Sequence, residues 1–322
     1  MKKYDKLVIV CWNALEYTKN TLNSLLKSID DSFINSVQLT LINNGSSDGT
    51  LQYLEHFTKK SFLKVTLINN KVNIGIGGAY NQGLKESIDA GCKYTVFCNN
   101  DLLFTDNWLP QMTSVMENNS NIALLGPIVP SSTSFFDENT TIKSKLLKVR
   151  NGLNIKEEFA EFIEPFKNFQ EFKKSITQIN NEKYKTNLRL VKFPNAISSC
   201  IVMGRTQIFK SIGYFANPEF KEYGGEDIDM CWRVVDDGYD VAVTNDVYIH
   251  HYRGKSIKVA KFNRAELLKK SNVKLFEIWK TKIIGYYKNR GVNKVSDIDN
   301  SPDNWLINEI KYDVNLEEEI LR

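Results

Sequence analysis

Tyr94-Thr95-Val96-Phe97-Cys98-Asn99-Asn100-Asp101 is an apolar run that stops at two amides and a carboxylate. Its first five residues are rich in aromatic and β-branched types and follow Gly91, which predicts a buried strand. In an open α/β sheet ligands bind beyond the carboxyl ends of the strands, so Asn99, Asn100 and Asp101 are expected to face a crevice. A carboxylate there is a hard oxygen ligand for Mg²⁺ or Mn²⁺, which typically binds through one or two carboxylates plus the phosphates of a substrate. Asn-Asn-Asp is also ordinary turn punctuation, and on this stretch alone the two readings stand side by side.

Upstream, short apolar runs alternate with helical spacing. Strands are predicted at Lys6 to Cys11, Val37 to Ile42 and Val65 to Ile68. Apolar residues at 22, 25, 26 and 29, then Leu51, Leu54 and Phe57, then a pattern from about Ala79 to Ala90, predict the intervening helices. Four strand-then-helix repeats with short connections predict an α/β fold with a mostly parallel, doubly wound sheet and helices on both faces. The second strand ends in Asn43-Asn44-Gly45-Ser46-Ser47-Asp48-Gly49-Thr50, where Asp48 and Thr50 fit a helix cap. The third runs into Asn73-Ile74-Gly75-Ile76-Gly77-Gly78, whose glycines let a backbone approach a ligand closely. Polar turns at three successive strand ends, with Asn99-Asn100-Asp101 at a fourth, point to a nucleotide crevice.

The chain has 322 residues, a length that suggests about two domains, or one α/β domain with an appendage. A net charge of +4 is too small to argue for a nucleic-acid partner. Cys11, Cys92, Cys98, Cys200 and Cys231 form no CxxC pair and are expected to be reduced core thiols. Leu7 to Trp12 is too short for a signal peptide, and no run approaches the ~18 apolar residues of a membrane span. The expected location is cytoplasmic, with a peripheral position on the inner face of a membrane left open.

Taken in order, Val8 to Asn13, Asn44-Gly45-Ser46-Ser47-Asp48-Gly49-Thr50, Asn73 to Gly83, Phe97 to Asp101, Gly224-Gly225-Glu226-Asp227-Ile228-Asp229-Met230-Cys231-Trp232-Arg233, and His250-His251 with Ser256 resemble an inverting glycosyltransferase of family 2 with the GT-A fold. The resemblance covers residues 4 to about 256 and extends to bacterial cell-surface polysaccharide and rhamnosyltransferase-like types. It implies that Asp101 holds a divalent cation, Mn²⁺ or Mg²⁺, against the donor diphosphate. It implies donor contacts from Trp12, Asn13, Asn43, Asn73, Gly77, Asn81, Asn99 and Asn100, and acceptor contacts from Trp232 and Arg233. Asn43 stands where the family has a base-binding aspartate, and Asn99 where it has the first acid of Asp-x-Asp. Both departures remove a charge.

Ile228, Cys231, Trp232 and Val235 fall at helical spacing, so Glu226 and Asp227 lie at a helix N-terminus. Acids there complement the helix dipole, which is a sufficient structural reason for them. The resemblance adds a use: Asp227 as general base and Glu226 as its supporting acid. His250 and His251 follow a strand predicted over Val241 to Ile249, and neighbours in a strand point to opposite faces, so one of them is expected to reach the cation. The spacing to Ser256 favours His251.

The expected division is a GT-A domain over 1–256, with a donor half to about 130, an insertion over 131–190 and an acceptor half over 191–256, followed by a helical extension over 257–322. From Lys255 to Lys294 there are twelve Lys or Arg against two Glu, with Leu268, Leu275, Trp279 and Ile283 near one helical face. This pattern fits a helix on an anionic membrane surface or one packed on the domain. The resulting expectation is a metal-dependent inverting transferase that moves a sugar from a UDP- or dTDP-sugar to a glycan or lipid-linked glycan in cell-surface assembly. The alternatives are a nucleotidyltransferase that makes activated sugars and a non-catalytic glycan binder.

Overall fold

The computed structural model describes residues 5–29, 31–129, 188–220, 224–252, 263–291 and 314. The strands are β1 (Asp5–Cys11), β2 (Val37–Asn44), β3 (Lys64–Asn70), β4 (Tyr94–Asn99), β5 (Leu102–Leu103), β6 (Ile122–Ile128), β7 (Leu188–Val191), β8 (Ile201–Arg205), β9 (Asp240–Tyr248) and β10 (His250–His251). The helices are α1 (Leu15–Ser28), α2 (Asp31–Ile34), α3 (Thr50–Lys60), α4 (Ile76–Asp89), α5 (Trp108–Asn118), α6 (Thr206–Ile212), α7 (Glu226–Asp236) and α8 (Arg264–Asn289).

An eight-stranded sheet runs in the order β3-β2-β1-β4-β8-β6-β9-β7. Its first four strands pair in parallel, as the alternation of strand and helix predicts. Beyond β4 the sheet is mixed, because β8 is antiparallel to both β4 and β6, and β7 is antiparallel to β9. Side-chain alternation along β1 sends Leu7, Ile9 and Cys11 into one core and Val8 and Val10 into the other. Both faces are covered, by α1, α3 and α5 on one side and by α4, α6, α7 and α8 on the other. This two-sided burial makes β1 and β4 read as continuous apolar runs.

Two elements differ usefully from their predicted extent. Helix α4 starts at Ile76, three residues before the predicted Ala79, so Gly77 and Gly78 lie inside its first turn. At Gly77 a Cβ would lie 2.4 Å from the Cβ of Ala216, so the absent side chain lets the 214–216 segment pack on the helix. Strand β7 begins at Leu188, inside the predicted insertion, while 131–187 lies outside the described residues, as does Ser256. All five cysteines are buried, and none is in a disulfide.

The apolar face of α8 is turned to the domain. Leu275, Phe276, Ile283 and Tyr287 are buried in the same core as Trp232 and Val234 of α7. Of the two readings of this helix, its apolar face shows the packed one, since protein already covers that face. No helix among the described residues is long and apolar enough to cross a membrane.

Candidate active site

The carboxyl ends of β1, β2, β3 and β4 open on one edge, where their polar residues are knitted together. Asn13 and Ala14 both have positive φ, at 53° and 59°, a conformation that side chains disfavour and that clusters at functional turns. Ser46 Oγ holds the backbone N–H of Asn13 at 2.9 Å, and Asn13 Oδ1 accepts from Ser47 N–H at 2.8 Å. Asp48 takes the expected capping role twice over, accepting from Thr50 N–H with one oxygen and from Leu15 N–H, at the start of α1, with the other. Asn43 Nδ2 donates to Asn69 Oδ1, and Asn43 Oδ1 accepts from Ser46 N–H. Asn73 Oδ1 accepts from Asn44 Nδ2 and Gly75 N–H. Half-buried Trp12 completes the first of these turns.

Beyond β4, Asp101 is 4% exposed and meets His251, whose Nε2 lies 3.0 Å from Asp101 Oδ1. The antiparallel pair β5 with β10, in the register His251 opposite Leu102, brings the two together, and Tyr252 N–H donates to the Asp101 carbonyl. Burial pulls the His251 pKa down, but the Asp101 and Cys200 side chains outweigh it and hold the imidazolium up to about 10. His250 points elsewhere, with Nδ1 3.0 Å from the Tyr248 hydroxyl, so of the two histidines His251 is the one beside Asp101. No cluster of three or more His, Cys, Asp or Glu side chains suited to a metal is found among the described residues. With His251 deprotonated, as a metal ligand must be, the pair fits a cation that takes few protein ligands and completes its shell with phosphate oxygens.

The acid pair opens α7. Gly225 precedes it with φ 86°, and a Cβ there would stand 2.7 Å from Phe220, so glycine sets the turn that starts the helix. Asp227 is half-buried; Oδ2 accepts from Ser199 N–H at 3.3 Å and Oδ1 from Ile228 N–H at 3.0 Å. Glu226 is buried, with Oε1 taking the Ser199 hydroxyl at 3.4 Å and Oε2 without a hydrogen-bond partner among the described residues. Burial, then the charge of Asp227, push the Glu226 carboxyl up to about 8. Burial raises Asp227 too, but the backbone N–H groups of Ser199 and Ile228 oppose it. Burial and the neighbouring charge thus favour a proton on Glu226, while the backbone N–H groups favour the charged form of Asp227.

The sequence profile described as Glycosyl transferase family 2 matches residues 6–205. The chain belongs to that family. An uncharacterized glycosyltransferase of Haemophilus influenzae is 31% identical over 123 residues, which span 37% of this chain and 35% of that protein. An uncharacterized protein of Methanocaldococcus jannaschii is 27% identical over 108 residues, 33% of this chain and 47% of the other. The chain thus spans about a third to a half of the length of these curated relatives. Among solved structures it resembles a mannosyltransferase of Pyrobaculum calidifontis in complex with GDP-Man and Mn²⁺, with a TM-score of 0.56 at 10% identity over 98% of this chain and 75% of that one. GalNAc-T7 with UDP, GalNAc and Mn²⁺ gives 0.58 at 14% identity over 96% and 54%. TarS 1–349 of S. aureus with UDP-GlcNAc gives 0.52 at 15% over 85% and 66%. At these identities the likeness shows a shared fold, which is GT-A.

Within this family 2 chain, several expected contacts become scaffolding. Trp232 is 0% exposed with its indole N–H on the Pro194 carbonyl, so it is a core residue and the acceptor role is corrected. Arg233 is likewise internal to the fold, binding Asp229 through Nε and the carbonyls of Tyr214 and Phe215 through its terminal nitrogens. Asn81 clamps the same segment, donating to the Ala216 carbonyl and accepting from the N–H groups of Phe215 and Ala216. Asn100 is buried and donates to the Asn13 carbonyl and to Thr18 Oγ1, holding β4 against α1. Gly77 packs closely on Ala216 at the start of α4. Conversely, Tyr80 and Ser199 carry site hydrogen bonds that the motif reading passed over, although Tyr80 lies inside the quoted stretch from Asn73 to Gly83.

Proposed function

We propose that this chain is an inverting glycosyltransferase that moves a sugar from a nucleotide-diphosphate sugar to an acceptor hydroxyl during assembly of a cell-surface glycan. The observation that carries the reading is Asp227: a half-buried carboxylate fixed by two backbone N–H groups, beside the buried carboxyl of Glu226. Asp227 takes the proton of the acceptor hydroxyl as that oxygen forms its bond to the anomeric carbon. The bond from that carbon to the diphosphate oxygen breaks on the opposite face, and the configuration inverts. Glu226, neutral and hydrogen-bonded to Ser199, leaves Asp227 as the single charge of the pair.

Asp101 and His251 are the residues that would hold Mn²⁺ or Mg²⁺, which when bound neutralises the charge that develops on the leaving diphosphate. The bound Mn²⁺ and nucleotide sugars of the structural relatives support this reading. A UDP- or dTDP-sugar is the favoured donor. It would lie across Trp12, Asn13, Asn43, Asn73 and Asn99, the polar edge formed by the strand ends. The acceptor is a glycan or a lipid-linked glycan, and the chemistry belongs on the cytoplasmic side, where nucleotide sugars are made. The test is a thermal-shift screen of UDP-, dTDP- and GDP-sugars with and without Mn²⁺. A rise in melting temperature that needs both components supports the reading, and no rise with any pair opposes it.

A further inference from the structure

Between the Asp101–His251 pair and the acid pair runs a chain of hydrogen bonds in which the number of protons decides how one amide is turned. The Tyr80 hydroxyl lies 3.0 Å from Asn99 Oδ1 and 3.1 Å from the Ser199 carbonyl oxygen. A phenol has one proton to donate, and both of these neighbours are acceptors. At the other end of the amide, Asn99 Nδ2 lies 3.5 Å from His251 Nε2, which is itself 3.0 Å from Asp101 Oδ1. Exchanging the oxygen and nitrogen of Asn99 resolves the conflict at the Tyr80 hydroxyl, and only the hydrogen-bond network distinguishes the two settings of an amide. Asn99 N–H then donates to Tyr80, Tyr80 donates to Ser199, and the Asn99 oxygen faces His251 and Asp101.

We propose that Tyr80 is a positioning residue that turns the Asn99 oxygen toward Asp101 and His251, adding a neutral oxygen donor to the divalent-cation site and linking that site through Ser199 to Glu226 and Asp227. The inference rests on the reading of Asp101 and His251 as the metal pair. Tyr80 is 0% exposed, and its ring is packed edge-on against Phe97 and Phe215 with centroids 5.1 and 4.9 Å away, so the hydroxyl is held where it is. A buried phenol needs its hydrogen bond, and this one supplies the orientation that the amide lacks by itself. Ser199 N–H and Oγ continue the chain to Asp227 and Glu226. An amide oxygen is a ligand type that hard cations accept.

The test is Mn²⁺ affinity in the presence of UDP, read by the loss of the free-ion electron paramagnetic resonance signal, for the wild type, Tyr80→Phe, Asn99→Asp and the double variant. Tyr80→Phe is expected to weaken Mn²⁺ binding by about tenfold, the lower end of what loss of an outer-shell partner causes. Asn99→Asp is expected to tighten it, because a charged oxygen then faces the cation. In the Asn99→Asp background both ends of the side chain are oxygens, so Tyr80→Phe should change affinity by about twofold or less. A packing defect would weaken both backgrounds equally, and that result overturns the inference. Should Tyr80→Phe not fold, Asn99→Asp alone decides, since no tightening would mean that Asn99 does not face the ion. If the wild type binds no Mn²⁺ with UDP, the metal reading and the inference fall together. Wild-type binding matched by Tyr80→Phe overturns the inference alone.

Discussion

The indole N–H of Trp279 in α8 donates to Oδ1 of Asp229 across 2.9 Å, and Asp229 is 0% exposed in the first turn of α7, two residues after Asp227. Asp229 Oδ2 accepts from Arg233, which also holds the Tyr214 and Phe215 carbonyls. Helix α8 is therefore part of the structure that positions the acid pair. Trp279→Phe keeps the ring contact with Trp232 but leaves a buried carboxylate oxygen without this donor. A loss of about 1–3 kcal/mol in unfolding free energy is expected, measured by urea titration.

That contact shows where the sequence was legible and where it was not. The strands β1, β2 and β4 are readable because burial on both faces leaves unbroken apolar runs, and the turn chemistry at their ends survives as Asn, Ser and Gly. The stripe of Leu275, Trp279 and Ile283 is readable as a helix face, but a stripe does not say what covers it. The roles of Asn81, Trp232 and Arg233 depend on the direction in which each side chain leaves its helix. A motif gives their positions without that direction. The antiparallel insertion of β8 beside β4 is equally silent in sequence, because a short strand carries no signal for its partner.

The proton on Glu226 has a consequence for stability. With a folded pKa of about 8 and an unfolded value of about 4.3, the folded chain holds a proton that the unfolded chain has released anywhere between these values. Its contribution is therefore most favourable below the unfolded pKa and is lost as pH rises through that window. Glu226→Gln should flatten this part of the profile, so that its melting temperature relative to wild type improves steadily from pH 5 to pH 8.5. A constant difference across that range would contradict the assignment.

Gly77→Ala tests the packing role against the donor role. The added Cβ meets Ala216 at 2.4 Å, backbone-borne on both sides, so a destabilisation of about 1–3 kcal/mol is expected by calorimetry. Donor affinity, measured by isothermal titration at a temperature where the variant is folded, should stay near the wild-type value. Loss of affinity with full stability would restore the donor contact.

The two histidines should separate cleanly. His251→Ala removes the partner of Asp101 and is expected to weaken Mn²⁺ binding at least tenfold in the presence of UDP, while His250→Phe keeps it within about twofold. Titration of both variants by calorimetry checks this, and equal losses would show that the cation is not held at Asp101.

The central claim is that Asp227 deprotonates the acceptor. The direct measurement is nucleotide release from UDP-, dTDP- and GDP-sugars with Mn²⁺ and a panel of saccharide acceptors, run on wild type and Asp227→Asn, with donor affinity determined alongside. The account predicts acceptor-dependent release by the wild type from at least one donor, and a fall of about 10²–10⁴ in rate for Asp227→Asn at near-normal donor affinity. Retention of most of the wild-type rate by Asp227→Asn would contradict it, and the acids at the start of α7 would then serve only the helix dipole.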